Sequence, residues 1–277
     1  IYRSPKSINW CTKLQTSLSE LETISEEKVD PLYYMKYGPF VLATVRPETK
    51  FGDTAVAVNP KDKRYKNWIG KEIEFEGLLG PIKLKVIADD YVDPQFGTGV
   101  VKITPAHDPN DFEVAKRHNL RAIEVIDQYG KLNEKCGKYA GLKVEEARKI
   151  IAKDLMEKGF IEKVEENYKH TVKKCYKCER VLEPRILPQW FIKMKPLAEK
   201  AIKSIKKGEI KFYPKHYKNI MLHWLNNIED WNVSRQIIWG IPIPAWYKDK
   251  EIFIGEKSPG ADWKKDNDTF DTWFSSG

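Results

Sequence analysis

Gly97-Thr98-Gly99-Val100-Val101-Lys102-Ile103-Thr104-Pro105-Ala106-His107-Asp108-Pro109-Asn110-Asp111-Phe112 holds the turn from strand to helix on which the fold reading rests. Val100–Thr104 is rich in β-branched residues and reads as a strand. Asp108 then reads as an N-cap, Pro109 as the first helical residue and Asp111 as an acid in the first turn, followed by Phe112, Val114, Ala115 and His118. Upstream, Phe40–Val45, Thr54–Val58, Glu72–Glu76 and Ile82–Ile87 have the same strand character between Gly and Pro punctuation. Downstream, Val144, Ala147, Ile151 and Leu155 share one face of a helix over residues 144–158, which Gly159 stops. Short strands with such turns predict an α/β chain built on a β-barrel-like sheet domain with peripheral helices.

Neither a repeat nor a low-complexity segment interrupts the chain. Residues 1–27 read as a connector, 28–165 as the sheet domain, 166–190 as a second connector carrying the cysteine knuckle Cys175-Tyr176-Lys177-Cys178, and 191–277 as a helical segment. In that last segment Lys195-Pro196-Leu197 opens an amphipathic helix with Leu197, Ala201 and Ile205 on one face. Lys200, Lys203, Lys206 and Lys207 point elsewhere, as a solvated face or one that follows an RNA backbone. Trp224, Trp231, Trp239 and Trp246 crowd the last quarter and predict a contact surface or a second core.

The 277 residues, 41% hydrophobic and 32% charged, suffice for a sizeable buried core. No apolar run nears the ~18 residues that span a bilayer, and the start lacks a signal-peptide pattern, so a cytoplasmic setting without a membrane is expected. The net charge of +8 suits a polyanion, whose phosphates release counterions on binding, or a lysine-rich surface kept for solubility. Four cysteines are too few for a disulfide scaffold at this length. A single Cys-x-x-Cys is half of a closed zinc site, or two free thiols in a reducing compartment.

Several polar residues stand where chemistry is possible. Asp108 and Asp111 place carboxylates three apart at a helix start, where both can face one cleft, yet a capping role and the helix dipole explain them equally. Lys102 and Thr104, two apart on a strand, project from the same face. Gly97-Thr98-Gly99 lets backbone come close to a ligand. Thr44, Arg46 and Thr49, in Ala43-Thr44-Val45-Arg46-Pro47-Glu48-Thr49-Lys50-Phe51-Gly52-Asp53-Thr54, offer donors from a second segment. His107 invites a general-base reading, although a lone histidine beside a cap is more often a hydrogen-bonded structural residue. Neither a Gly-x-Ser-x-Gly elbow nor a His-Glu-x-x-His pair is present.

Read together, these two segments resemble the walls of the editing pocket in the large class I aminoacyl-tRNA synthetases, and in wording the valyl-tRNA synthetase family. The resemblance extends through Ile8-Asn9-Trp10-Cys11, Gln189-Trp190-Phe191-Ile192-Lys193-Met194, Trp231-Asn232-Val233-Ser234-Arg235-Gln236 and Asp271-Thr272-Trp273-Phe274-Ser275-Ser276. It implies that 28–165 is an editing domain flanked by catalytic-domain segments at 1–27 and 191–277. The implied reaction is hydrolysis of the ester of mischarged threonyl-tRNA(Val). A hydrophobic synthetic pocket rejects a hydroxyl-bearing isostere poorly, valyl enzymes being the known example, and a second sieve remedies it.

By the same resemblance Asp111 would bind the substrate's α-ammonium, while Asp108, Lys102 and Thr104 would read the threonine hydroxyl. Thr44, Arg46 and Thr49 would hold the terminal adenosine and the ester, with Gly97, Thr98, Gly99 and His107 lining the substrate. Water would attack with help from a ribose hydroxyl rather than a protein base. The implied partners are the tRNA(Val) acceptor 3′ end and the rest of the synthetase chain. The resemblance leaves two options at Cys11, Cys175 and Cys178, a structural zinc with a fourth ligand the sequence does not name or a knuckle that persists without metal, with ATP and Mg serving only the full-length enzyme. Two rival readings stay open: a non-catalytic module that binds the tRNA 3′ end, and editing of a different mischarged tRNA of the isoleucyl or leucyl type.

The sequence departs from the family pattern at three places. Val45 stands where the family has a second threonine, Leu14 where a second cysteine is common, and Gly240-Ile241-Pro242-Ile243-Pro244 differs in wording. The ATP-handling signatures His-Ile-Gly-His and Lys-Met-Ser-Lys-Ser do not occur. The expectation is therefore an excised editing insertion with catalytic-domain stubs, unable to activate valine.

Overall fold

Ala55-Val56-Ala57-Val58 is buried at every position, because this short strand lies inside a sheet covered on both faces. It pairs in parallel with Gly80–Ala88 and antiparallel with Val100–Ile103, and Glu72–Gly77 completes the sheet beyond Gly80–Ala88. Alternation sorts its side chains. Val56 and Val58 enter a large core with Leu84, Val86 and Val100, whereas Ala55 and Ala57 face a smaller cluster with Ile103 and Val114. Val114 belongs to the helix Pro109–His118, so the strand and helix of the opening motif close on one another around alanines small enough to admit the helix.

This computed structural model describes residues 1–276, which form two compact units. The larger comprises Ser7–Gln15 and Glu22–Ile186; the smaller comprises Ile1–Lys6, Thr16–Leu21 and the chain from Leu187 onward. In the larger unit a second sheet is ordered Phe40–Thr44, Thr23–Tyr37, Ile161–Cys175. Met35, Tyr37 and Leu42 bring its inner face into the large core, and Ala147, Ile151 and Leu155 of the helix Val144–Glu157 cover another side. Gly159, at φ +70°, follows that helix as its sequence foretold.

The fold is mixed α/β with sheet predominating. The expected barrel does not appear in the hydrogen bonding: the described strands form five open sheets, and the two of the larger unit share a core without closing edge to edge. Residues 1–27, read as a connector, contain the strands Tyr2–Cys11 and Thr16–Leu18 and the start of Thr23–Tyr37. Thr16–Leu18 lies at a sheet edge beside Tyr2–Cys11, whose other neighbour, Glu183–Ile192, is far along the chain, as is Ile161–Cys175, which pairs with Thr23–Tyr37. Among the described residues of 191–277, helix is confined to Lys195–Lys207, Tyr217–Asn226 and Thr272–Ser275. Short strands separated by loops lie in the rest of that segment, among them Ala245–Lys248 paired with Glu251–Ile254. In the smaller unit Ala198, Ile205 and Leu225 join the two longer helices, and Trp190, Val233 and Ala245 form a separate core. No described helix is long and apolar enough to cross a membrane.

Candidate active site

The strand Val100–Ile103 and the helix Pro109–His118 meet at a buried polar cluster. Lys102 is 9% exposed and Thr104 1%, and their side chains meet on the same side. Lys102 Nζ donates to Thr49 Oγ1 at 2.9 Å, to Asp53 Oδ1 at 3.2 Å and to Thr104 Oγ1. Thr104 Oγ1 in turn donates to Asp53 Oδ1, and Tyr37 donates its hydroxyl to the other oxygen of Asp53 at 2.7 Å. One carboxylate thus gathers a lysine, a threonine and a tyrosine.

Asp111 reaches the same cluster from the helix, its Oδ2 accepting from the Thr104 backbone N–H at 2.8 Å. Burial pushes its carboxyl up to about 7, and neighbouring Asp108 adds to the shift, against the opposing pull of Lys102 and of the Thr104 N–H. Asp108 is the N-cap, accepting from the N–H groups of Asn110 at 2.8 Å and Asp111 at 3.0 Å. Three of the residues singled out on this strand and helix, Lys102, Thr104 and Asp111, therefore belong to one hydrogen-bonded cluster.

Pro47–Gly52 forms a helical turn that presents the second segment. Arg46 stands at its start, donating to Glu48 at 3.0 Å, to Glu183 at 2.6 Å and to the His107 carbonyl at 3.4 Å. Burial works against the Arg46 charge, and Glu183 and Glu48 overcome it, so its pKa lies above the ordinary range. Glu48 is fully buried and also takes two hydrogen bonds from Arg148, at 3.0 and 2.9 Å. Burial alone would raise the Glu48 carboxyl; Arg46 and Arg148 hold it below its usual value. Thr44 Oγ1 accepts from the Arg46 N–H at 3.0 Å, and Thr49 Oγ1 donates to the Arg46 carbonyl at 3.0 Å, so both threonines brace the turn. Val45 is half-buried.

His107 is 2% exposed. Its Nε2 accepts from the Val125 N–H at 2.8 Å, which consumes the lone pair a general base needs. Burial lowers its pKa to about 3, with the Arg46, Lys102 and Arg185 charges reinforcing the shift, so the ring is neutral and structural. Gly97 and Gly99 sit at φ +57° and +77° in the loop before the strand. Thr98 fastens that loop, its hydroxyl donating to the Val41 carbonyl while its own carbonyl accepts from Tyr65 at 2.8 Å. No hydrogen bond among the described residues ties Thr98 to the Lys102 cluster.

Cys11, Cys175 and Cys178 converge, their sulfurs within 4.8 Å of one another, with Cys11 and Cys178 at 3.4 Å. Cys11 and Cys175 are buried and Cys178 is partly open. Burial pushes the Cys11 thiol up to about 12; for Cys178, burial is outweighed by the Arg180 backbone and by its two sulfur neighbours, and its pKa falls below the ordinary thiol value. The Leu14 N–H donates to Cys11 Sγ at 3.3 Å, the kind of contact that steadies a thiolate. Three sulfurs this close could hold a metal ion, a closed zinc site takes four ligands, and among the described residues no fourth His, Cys, Asp or Glu joins the group. Cys136 lies elsewhere, its thiol facing the Val125 carbonyl.

Asp53, Glu48, Arg148, Glu183 and Tyr37 complete the site and were not singled out from the sequence. Asp53 and Glu48 were within the quoted segment, but Arg148 lies 100 positions from Glu48, on a helix whose pattern announces only its apolar face.

A family model of class I tRNA synthetases (I, L, M and V) matches residues 1–258. The chain belongs to this family. The valine-tRNA ligase of Thermotoga maritima is 47% identical over 291 residues, that of Pseudothermotoga lettingae 49% over 292, and that of Petrotoga mobilis 48% over 291. Each alignment takes in all of this chain and 33% of the relative, so the chain spans about a third of the length of these class I synthetases.

Proposed function

We propose that this chain carries the editing site of a valyl-tRNA synthetase and hydrolyses the ester of threonyl-tRNA(Val). The observation that carries the reading is the junction of the two segments: Lys102 bridges Thr49, Asp53 and Thr104, and the Thr104 N–H ties Asp111 to the same cluster. Asp111 would hold the α-ammonium, whose arrival favours the ionised carboxylate that burial opposes. Lys102 and Thr104, with Asp108 nearby, would exchange part of their internal hydrogen bonding for the threonine hydroxyl, so that a substrate lacking it leaves buried polar groups unpaired. Arg46, Thr44 and Thr49 would position the terminal adenosine. With His107 committed to Val125, water would be activated by a ribose hydroxyl of the substrate.

The larger unit would be the editing domain at 28–165 with its cysteine knuckle at 166–190, and 1–27 and 191–277 would return to the catalytic domain. Zinc at Cys11, Cys175 and Cys178 would pin the knuckle to the strand Tyr2–Cys11. The tRNA 3′ end and the remaining synthetase chain would be the partners, in the cytoplasm, with ATP and Mg needed only for synthesis.

Release of threonine from threonyl-tRNA(Val), beside valyl-tRNA(Val) and an Asp111→Asn variant, tests the reading. Selective release that vanishes in the variant, with kcat/KM rising as pH passes about 7, is expected. Tight tRNA binding with no release from either ester would instead leave a binding module.

A further inference from the structure

The helix Tyr217–Asn226 carries two apolar faces, and one of them is left over once the helix is packed. Leu222 and Leu225 meet Ala198, Ala201 and Ile205 of the helix Lys195–Lys207, which is what holds the two helices together. Tyr217, Ile220, Met221 and Trp224 fall at the i, i+3, i+4 and i+7 positions of a second face, and all four are exposed. With Lys211 and Tyr213 from the preceding loop they line an open groove of about 480 Å³ within the smaller unit. Tyr213 is 83% exposed and Trp224 46%, so much of each ring is open to solvent.

The charge around this groove narrows its occupant. From Lys195 to Asn226 the chain carries eight lysines against two glutamates, most of its net charge of +8. Lys211 lines the groove, and Lys215 and Lys218 fall between its lining residues in sequence. Among the described residues, Lys207 is the one lysine of this stretch with an ion-pair partner, Glu209 at 3.5 Å, so most of the positive charge is unanswered. An anionic partner with flat apolar faces satisfies both the rings and the lysines. Single-stranded nucleic acid offers one base face and one phosphate per nucleotide, whereas a duplex keeps its base faces stacked inside. A lipid surface fits less well, because Ala198, Ala201 and Ile205 of the basic helix Lys195–Lys207 are turned into the helix pair. We propose that this groove binds an unpaired stretch of RNA, its bases stacked on Tyr213 and Trp224 and its phosphates held by Lys211, Lys215 and Lys218. RNA is preferred to DNA because the chain belongs to the tRNA synthetases. None of the ester-site residues builds the groove, so the proposal stands apart from the editing reading.

Fluorescence anisotropy of the whole chain with a labelled single-stranded RNA of about eight nucleotides tests the proposal. A 3′-phosphate on the RNA keeps a free terminal ribose out of the ester site. Tyr213→Leu and Trp224→Leu keep an apolar side chain but remove the stacking face, and each should weaken binding about tenfold while the thermal midpoint stays close to wild type. Replacing Lys211, Lys215 and Lys218 together by alanine should reduce the slope of log affinity against log salt by about 2. The same RNA annealed to its complement should bind with no sensitivity to Trp224→Leu. An affinity for the single strand that ignores both ring variants would overturn the proposal and leave the lysines as a solvated, generally attractive face. Self-association of the wild-type chain that is lost in Trp224→Leu, with RNA affinity unchanged, would overturn it in favour of a protein partner in the groove.

Discussion

The buried polar network has two halves that differ in how their charges are balanced. Around Glu48 every charge is answered: Arg46 and Arg148 converge on one carboxylate, Glu183 takes the far side of Arg46, and Asp30 lies 3.9 Å from Arg148. Around Asp53 the balance is unsettled: Lys102 is its ion-pair partner, Lys50 is buried with its pKa lowered to about 8, and Asp111 is raised to about 7. A balanced network is a scaffold, because any vacancy leaves a buried charge exposed to its full desolvation cost. An unbalanced one stores that cost in the groups that have to respond to a ligand, which is why perturbed pKa values gather at functional sites.

The sharpest way to break this comparison is to empty the balanced half. Glu48→Gln should destabilise the chain by about 3–5 kcal/mol, since two half-buried guanidiniums lose the fully buried carboxylate they share; a chemical denaturation midpoint close to wild type would show that the two halves do not differ.

Asp111→Asn should do the opposite. A carboxyl whose folded pKa is raised gives full stability below the unfolded value near 4 and loses it as pH rises through about 7. The amide should therefore match wild type at pH 4, gain about 4 kcal/mol at pH 8 and still lose turnover.

Lys50→Met should follow with a gain of about 3 kcal/mol. A lysine whose folded pKa is lowered costs stability wherever it is charged in the fold, so the gain is complete below about 8 and fades towards the free-lysine value. Thermal melts from pH 6 to 10.5 would show whether the benefit fades in that direction. Smallest is Asp108→Ala, which should cost ~1 kcal/mol through the lost N-cap bonds. A loss of threonine selectivity beyond that modest cost would separate a substrate role from the cap.

The sequence by itself determined the elements that depend on neighbours within a few positions. The strand Val100–Ile103, the Asp108 cap and the helix Pro109–His118 follow from β-branched runs, a capping aspartate and a proline at the first helical position. Placing Lys102 and Thr104 on one face needed only the two-residue period of a strand. Tertiary structure alone decided which carboxylate they would share, because Asp53 lies 49 positions from Lys102 and nothing local marks it. It decided the pairing of Arg148 with Glu48 and supplied the Val125 N–H as the partner of His107. It also replaced the expected barrel with open sheets around one core, since strand order is set by long-range pairing and not by the alternation within each strand. Local geometry repeats with the period of the chain and can be read from it; desolvation and charge pairing depend on which distant segments meet, and so the unusual ionisation of Asp111 and Lys50 exists only in the folded molecule.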